Sequence, residues 1–442
     1  MRVLGVIKGL LPNRSPVRLA WHRLKALAAA VRYRFPARSL IVIGITGTDG
    51  KTTTVGMTAH ILHEAGIPVG ALSTSFFRIR GKSWDNPTHK TSISPFAMQR
   101  FLRQCADEGC THAVVECSSH GLVQHRNDFL WPRVTAITNI SPEHLDYHGT
   151  MEQYRHDKSI LFQMLRKDGV SVLNADDETF QEYTLLPAQW RIAWSASRSF
   201  SHPMGGRDCA IWTENVAVTP AGSSATVLSN VEEETRNLQL HIPGGFNIEN
   251  ALCAISCAHA VGVEIALGVK TLADFRGVPG RMESINTGQP FAVYVDFTIT
   301  PNAYEKTLAT VRQTLAPGAR LLVLTGSCGN RMREKRPMIG KIVSEMADVV
   351  VVSEDETVTE DPLKVIDEVW AGVDQARCEA HKIPDRREAI RFLFKNAHPG
   401  DAVLLCGMGA CSTMQTREGL RKWDEREVAK DLLKEIGRNI GV

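Results

Sequence analysis

The run Val42-Ile-Gly-Ile-Thr-Gly-Thr-Asp-Gly-Lys-Thr-Thr-Thr54 holds the residue types that phosphate chemistry requires, at a workable spacing. A β-branched stretch, Ile41 to Ile43, enters a glycine turn and leaves through a threonine-rich helix start. Backbone N–H groups at such a start point outward with the positive end of the helix dipole, which favours an anion. In that frame Lys51 reaches terminal phosphate oxygens and the Thr52 hydroxyl is placed for Mg2+. The general Walker pattern wants a glycine where Ile45 stands, so the run is a tighter T-G-T-x-G-K-T form, Thr46 to Thr52. It predicts an ATP site on Gly47, Thr48, Asp49, Gly50, Lys51, Thr52 and Thr53.

That form resembles the Mur ligase family, with which the folylpolyglutamate synthetases share it, and further blocks carry the resemblance. Glu116-Cys-Ser-Ser-His-Gly-Leu-Val-Gln-His-Arg126 is similar to the family's E-x-S-S-H-x-L-x-x-H-R, and Thr138-Asn-Ile-Ser-Pro-Glu-His-Leu-Asp-Tyr-His-Gly149 to its T-N-x-x-x-D-H-L-D-Y-H-G. Phe246-Asn-Ile-Glu-Asn250 looks like F-N-x-x-N, and Gly280-Arg-Met-Glu283 like G-R-M-E. The blocks fall in the family's order over roughly residues 40 to 430, and their wording is nearest the tripeptide synthetase branch.

The resemblance implies an ATP-dependent ligase that joins a peptidoglycan-precursor peptide carboxylate to an amino acid through an acyl phosphate, with ATP and Mg2+ as cofactors. It implies a second metal held by Glu116, His144 and a carbamylated Lys158, beside Thr52 on the first; Lys51, Lys158, His144 and Glu116 would be catalytic. It places Asn247 and Asn250 near adenine, Arg281 near the triphosphate and Asp296 on the ribose. Thr91, Ser92, Ser118, Ser119, Gln124 and Arg126 match the stretch that contacts the muramyl peptide; Arg331, Asp355 and Gly407 match the amino-acid side.

Three departures limit what carries over. About 40 residues precede the phosphate loop, too few for the family's uridine-nucleotide domain. Ile299 stands where the family reads a histidine, in Asp-Phe-Thr-Ile-Thr-Pro301. Where diaminopimelate-adding members read D-N-P-R and G-K-G-H-E, this chain has Asp355-Glu-Thr-Val358 and Gly407-Met-Gly-Ala-Cys411. An arginine and a glutamate that would grip a distal zwitterion are thus Val358 and Cys411, which disfavours selection of meso-diaminopimelate. Arg331 is retained and can hold an α-carboxylate. Two other readings stay open: a ligase acting on a lipid-linked or other non-UDP carboxylate, and a nucleotide-binding scaffold without turnover.

The elements that must position these residues follow from patterning. Ala113–Glu116, Ala136–Asn139 and Val170–Asn174 read as buried strands followed by helices, which predicts a parallel sheet. Segments within 205–241 read as a small antiparallel sheet of their own, and Phe246–Val261 as a helix. Ala292–Asp296, Leu321–Thr325, Val349–Ser353 and Ala402–Cys406 predict a second α/β unit. The fold class expected is α/β: a P-loop-type central domain (37–278) with a mainly parallel sheet, then a Rossmann-like C-terminal domain (279–442), after a short basic helical segment (1–36).

That segment is unusual in charge. The first 48 residues hold nine Lys or Arg and no acid, within a chain of formal net charge +3, so the remaining body is net acidic. From Ser15 to about Arg34 the residues Val17, Trp21, Leu24, Leu27, Ala28 and Val31 recur at helical spacing. One expectation is a helix packed on the next domain with its arginines in water; the other is an interfacial helix on anionic lipid. No signal peptide is read, since the phosphate loop begins too near. Ten cysteines without a C-x-x-C pair suit a reduced, cytoplasmic setting, with peripheral membrane association as the added expectation; no nucleic-acid partner is expected.

Overall fold

A computed structural model of the 442-residue chain describes residues 12, 14–86, 88, 90–197, 208–219 and 222–440. The leader's Arg2 and Lys8 lie outside them. Two compact units are formed. The first takes in residues up to Val216, 224–240 and 247–275; the second takes in 217–223, 241–246 and everything from Arg276. The leader helix is thus part of the first unit rather than a body of its own.

The first unit is built on an eleven-stranded sheet. Its strands are β1 (Ile41–Thr46), β2 (Val69–Leu72), β3 (Phe76–Ile79), β4 (Lys82–Asp85), β5 (His112–Glu116), β6 (Val134–Ile137), β7 (Val170–Asn174), β8 (Trp190–Ser195), β9 (Cys209–Thr219), β10 (Gly222–Ser229) and β11 (Arg236–Leu240). In space they run β11-β10-β9-β8-β7-β6-β1-β5-β2-β3-β4. The segments within 205–241 therefore do not make a sheet of their own. They extend the central one, because β9 pairs parallel with β8 (Ile192 opposite Cys209) and continues its ladder.

β1 lies between β5 and β6, both parallel to it, so the chain leaves on opposite sides of β1 and opens a crevice at the strand ends. Ile45 stands opposite Glu116 and Thr46 opposite Ile137, which brings the ends of three strands level. The helices that matter are α1 (Pro16–Arg32), α2 (Lys51–Glu64), α3 (Pro95–Asp107), α4 (Ser119–Val123), α5 (Leu145–His148) and α6 (Met151–Gln163). α3 starts where Ser94 accepts from the Ala97 N–H with Pro95 next, and α6 starts where Thr150 accepts from the Gln153 N–H.

α1 forms with Pro16 in its first turn and packs on α3 through Ala26, Ala29 and Ala30, all buried. Small side chains allow that close approach. The apolar stripe that patterning singled out is not the docked face: Val17, Trp21, Leu24, Leu27 and Val31 are 42% to 68% exposed.

The second unit holds a six-stranded sheet ordered β12-β13-β17-β14-β15-β16, where β12 is Glu283–Ser284, β13 Ala292–Asp296, β14 Leu321–Thr325, β15 Val349–Val352, β16 Glu379–Lys382 and β17 Ala402–Cys406. All pairs but β12–β13 are parallel. Alternate residues serve two cores. Val293, Leu322, Val349 and Val403 pack with Ile390 and Leu393 on one face; Tyr294, Val323, Val350 and Leu404 pack with Leu308 and Val343 on the other. A sheet covered on both faces needs the unbroken apolar runs seen in the sequence. The edge strand β16 carries no such run, which is why patterning missed it.

Candidate functional site

In the first unit the phosphate loop closes the crevice above β1. Gly50 has φ +80°, the left-handed region that favours glycine, and a Cβ there would stand 2.2 Å from Asn250 Oδ1. Asn250 in turn accepts from the Thr54 hydroxyl (3.3 Å) and donates to Asn247 Oδ1 (3.2 Å). Both asparagines are buried on the Gly245–His259 helix; Asn250 meets the loop directly and Asn247 is joined to it through Asn250. The other side of the loop is tied to the end of β6: Asp49 N–H donates to Asn139 Oδ1 (3.0 Å) and the Thr138 hydroxyl to Asp49 O (2.6 Å). Thr48 hydrogen-bonds at 3.2 Å with the Tyr154 hydroxyl.

Lys51 Nζ folds over the loop and donates to Gly47 O (3.1 Å) and Thr48 O (2.6 Å). Next to it the Thr52 hydroxyl donates to Glu116 Oε2 at 3.0 Å, while the neighbouring Thr53 is buried. Glu116 is 1% exposed and also accepts the Thr74 N–H at 2.7 Å; the Thr74 hydroxyl lies 3.1 Å from Glu116 Oε1 and 2.9 Å from Thr91 Oγ1. A buried carboxylate with a hydroxyl at hydrogen-bond distance is a donor pair that fits a hard divalent cation.

Lys158, on α6, is fully buried; its Nζ donates to Gly47 O at 2.5 Å and lies 4.4 Å from the centroid of the Tyr154 ring. Burial, reinforced by the charge of Lys51, holds its amine well below the ordinary lysine range. As an ammonium it does not fit a metal site. A neutral amine is the form that takes up CO2, and the resulting carbamate is an anion that does fit.

His144 caps α5 in the left-handed region (φ +58°), with its ring edge-on to His120 at 4.7 Å. Among the described residues no three His, Cys, Asp or Glu side chains cluster as a ready-made metal cage. Of the residues matched to the metals, Thr52 and Glu116 are in direct contact, Lys158 meets the phosphate loop at Gly47 O, and His144 lies against His120.

The residues matched to the peptide acceptor are joined in a network. Ser92 Oγ accepts from the Ser118 N–H (3.0 Å), and Ser118 Oγ accepts from the Gly121 N–H as the cap of α4. Arg126 donates to Ser92 O (2.9 Å) and to Gln124 Oε1 (2.6 Å), and Gln124 donates to the Tyr147 hydroxyl (3.2 Å). Ser119 points elsewhere, to His148 Nε2 at 3.0 Å. His148 Nδ1 meets Asp157 Oδ2 at 2.5 Å, and Asp157 also takes a two-pronged pair from Arg14 (2.6 and 2.9 Å). Burial by itself would raise the Asp157 carboxyl, but hydrogen bonds from His148, Arg14 and Gln153 bring it down to about 2. Sequence reasoning missed this set. Its only local signal was an acid beside Lys158.

The second unit carries Arg281, Asp296, Arg331, Asp355 and Gly407. Arg281 stacks on Phe297 with its Cζ 4.7 Å from the ring centroid, and donates to Phe297 O at 3.3 Å. Asp296, at the end of β13, accepts the Met282 N–H at 2.7 Å and the Thr298 hydroxyl, so its carboxylate fixes the G-R-M-E turn. Asp355 is 2% exposed, and burial raises its carboxyl despite the charge of Arg386. A Cβ at Gly407 (φ +110°) would fall 2.2 Å from Asp355 Oδ2, which explains the glycine. Arg331 is exposed, Cys411 is buried, and Val358 sits at φ +56°.

Residues 45–258 match the Mur ligase middle domain and residues 280–409 the Mur ligase glutamate ligase domain. The UDP-N-acetylmuramyl-tripeptide synthetase of Roseiflexus sp. (strain RS-1) is 35% identical over 433 residues, covering 94% of this chain and 82% of that protein. The UDP-N-acetylmuramoyl-L-alanyl-D-glutamate--2,6-diaminopimelate ligase of Geobacillus thermodenitrificans (strain NG80-2) is 33% identical over 419 residues, covering 93% and 83%. Among solved structures, one of a ligase of that second name superposes with TM-score 0.61 at 26% identity, over 90% of this chain and 79% of the other. MurF ligase from Thermotoga maritima in complex with ADP gives TM-score 0.66 at 17% identity, over 94% and 84%, a likeness of fold alone.

Proposed function

Since this chain belongs to the Mur ligase family, whose members are ATP-dependent, ADP-forming amide ligases of peptidoglycan precursor synthesis, we propose that it adds one amino acid to the carboxylate of such a precursor peptide. The observation that carries the reading is the Thr52–Glu116 hydrogen bond at the end of β1 and β5, with Lys51 over the same loop. Together they offer a phosphate cradle and an acid beside it.

Turnover proceeds in two displacements. The acceptor carboxylate attacks the γ-phosphorus of ATP, and ADP leaves with the bridging oxygen. The amine of the incoming amino acid then attacks the acyl carbon, phosphate leaves, and the nitrogen loses a proton. Loop N–H groups and Lys51 hold the transferring phosphoryl oxygens. Thr52 would hold a first Mg2+, and Glu116, His144 and a carbamylated Lys158 a second; such ions would neutralise charge at the triphosphate. Arg126 and Ser118 orient the acceptor, and Arg331 takes the amino acid's carboxylate through a fork of two N–H donors.

Phosphate release from ATP, measured against a panel of amino acids with UDP-linked and lipid-linked acceptors side by side, tests this. Release that requires both an amino acid and an acceptor is expected. Release with neither overturns it in favour of an ATPase, and none with any pair overturns it in favour of the scaffold.

A second reading concerns where the acceptor is met. The outward stripe of α1 (Val17, Trp21, Leu24, Leu27, Val31) is bordered by Arg18, Lys25 and Arg32 on one side and Arg23 on the other, with no acid on the helix. A second copy would bring like charges together, whereas anionic headgroups complement them, with about 1 kcal/mol from each cation near the surface. This favours peripheral contact with the cytoplasmic leaflet and a lipid-linked acceptor. No described helix is long and apolar enough to cross a membrane. All ten cysteines are free thiols, in keeping with a cytoplasmic setting. Flotation with anionic but not neutral vesicles, abolished by Trp21→Glu with Leu24→Glu, is expected; no flotation at low salt refutes the contact.

A further inference from the structure

Arg14 lies in the leader, 37 residues before Lys51 in sequence, yet its guanidinium reaches into the first unit and clamps Asp157 with both prongs, Nη1 to Oδ2 at 2.6 Å and Nη2 to Oδ1 at 2.9 Å. The same carboxylate meets His148 Nδ1 at 2.5 Å and accepts from Gln153 Nε2 at 2.9 Å. An ionised carboxylate on Nδ1–H leaves the Nε2 lone pair for the Ser119 hydroxyl, 3.0 Å away. Ser119 opens α4, the helix that carries the acceptor network, and Asp157 precedes Lys158 on α6. The Arg14 Cζ also stands 5.9 Å from the centroid of the Tyr147 ring, and Tyr147 accepts from Gln124.

Nothing in the ligase chemistry above uses this chain of groups. Although Ser119, His148 and Asp157 are ordered like a hydrolase triad, Ser119 is 2% exposed and the side chain of His148 is 0% exposed, so no substrate carbonyl reaches the hydroxyl. The arrangement suits positioning.

We propose that Arg14 is a positioning residue for the acceptor: through Asp157 and His148 it fixes Ser119 and the start of α4, and through Tyr147 it steadies Gln124 and Arg126. The leader is thereby part of the acceptor site, an inference that rests on the ligase reading for its activity test. Because an arginine fork is planar and two-pronged, a lysine cannot replace it fully.

The experiment is a steady-state comparison of full-length wild type, Arg14→Ala, Arg14→Lys, Ser119→Ala and the Arg14→Ala/Ser119→Ala double variant. Arg14→Ala is expected to raise KM for the acceptor about tenfold while leaving KM for ATP within about twofold, as loss of a charged hydrogen-bond pair allows. Arg14→Lys should recover part of the loss, and guanidinium ion at non-denaturing concentration should recover part of it in Arg14→Ala. The double variant should be no worse than about twofold beyond the poorer single variant, since both act on one chain of groups. Multiplying effects, or a fall in melting temperature with unchanged KM values, would overturn the proposal. If wild type releases no phosphate with any pair, the ligase reading fails separately. The coupling is then read from the low-field NMR signal of the His148 ring N–H, which both Arg14→Ala and Ser119→Ala must move; an unmoved signal overturns it.

Discussion

Lys51 and Lys158 converge on one atom: the carbonyl oxygen of Gly47 accepts from both amines, at 3.1 and 2.5 Å. Two ammonium groups so placed repel each other, and burial together with that repulsion holds the Lys158 amine well below the ordinary lysine range. The shift favours the neutral form of the Lys158 amine, which is the form that carbamylation requires.

Lys158→Ala is therefore expected to be nearly inactive, with a folded circular dichroism spectrum, and partly rescued by short carboxylic acids that replace the carbamate. Wild-type activity should fall in CO2-depleted buffer and return with bicarbonate. A map of the nucleotide-bound enzyme showing an unmodified lysine with two metals would remove the idea.

Lys51→Ala should lower ligation by about 10²- to 10³-fold or more, the loss typical of removing one donor to a developing charge. Glu116→Gln should raise the Mg2+ concentration needed for half-maximal turnover, because the amide cannot accept from Thr52 and Thr74 as the carboxylate does. Turnover near wild type in both variants would show that phosphoryl transfer occurs elsewhere.

The amino-acid pocket should show little preference for meso-diaminopimelate over lysine, alanine or serine, since Val358 and Cys411 offer no charge to a distal zwitterion. The Geobacillus relative carries diaminopimelate in its name, and assaying this chain with the same amino acid measures whether the two share that preference. Val358→Arg with Cys411→Glu should raise use of diaminopimelate. The first change also relieves a β-branched residue at φ +56°, so Val358→Arg alone should not lower the melting temperature. Strong native selectivity for diaminopimelate would refute this account of the pocket.

Stability on the acid side has a definite expectation. Arg336, fully buried, holds the Glu360 carboxyl down to about 2, well below its ordinary 4.5, with the Asn330 N–H adding to the pull. A carboxyl depressed in the fold stabilises it above the unfolded value, and the contribution is lost as pH falls from about 4.5 towards 2. Glu360→Gln should thus cost about 2 kcal/mol at neutral pH, allowing for partial exposure, and nothing near pH 2. Denaturant titrations of both forms from pH 7 to pH 2 measure the difference; a gap that does not narrow contradicts the assignment.

The phosphate loop, the threonine-rich start of α2 and the strands of both units could be read from sequence, because each depends on local chemistry. Glycine permits the turn, the helix start presents N–H groups, and apolar runs of four to six residues have no other place than a doubly covered sheet. Val170–Asn174, Ala292–Asp296, Leu321–Thr325 and Ala402–Cys406 fall where patterning set them. Strand order is not local. Only the folded sheet puts β1 between β5 and β6, so that Glu116 reaches Thr52 across 64 residues. Likewise, patterning singled out one apolar surface of α1, the large-residue stripe, and the structure docks the other. Packing chose the alanines, which let two helices approach closely, and left Trp21 and its neighbours in water. Arg14 beside Asp157 was beyond sequence reading for the same reason: their meeting spans 143 residues and depends on where two separately formed helices come to rest.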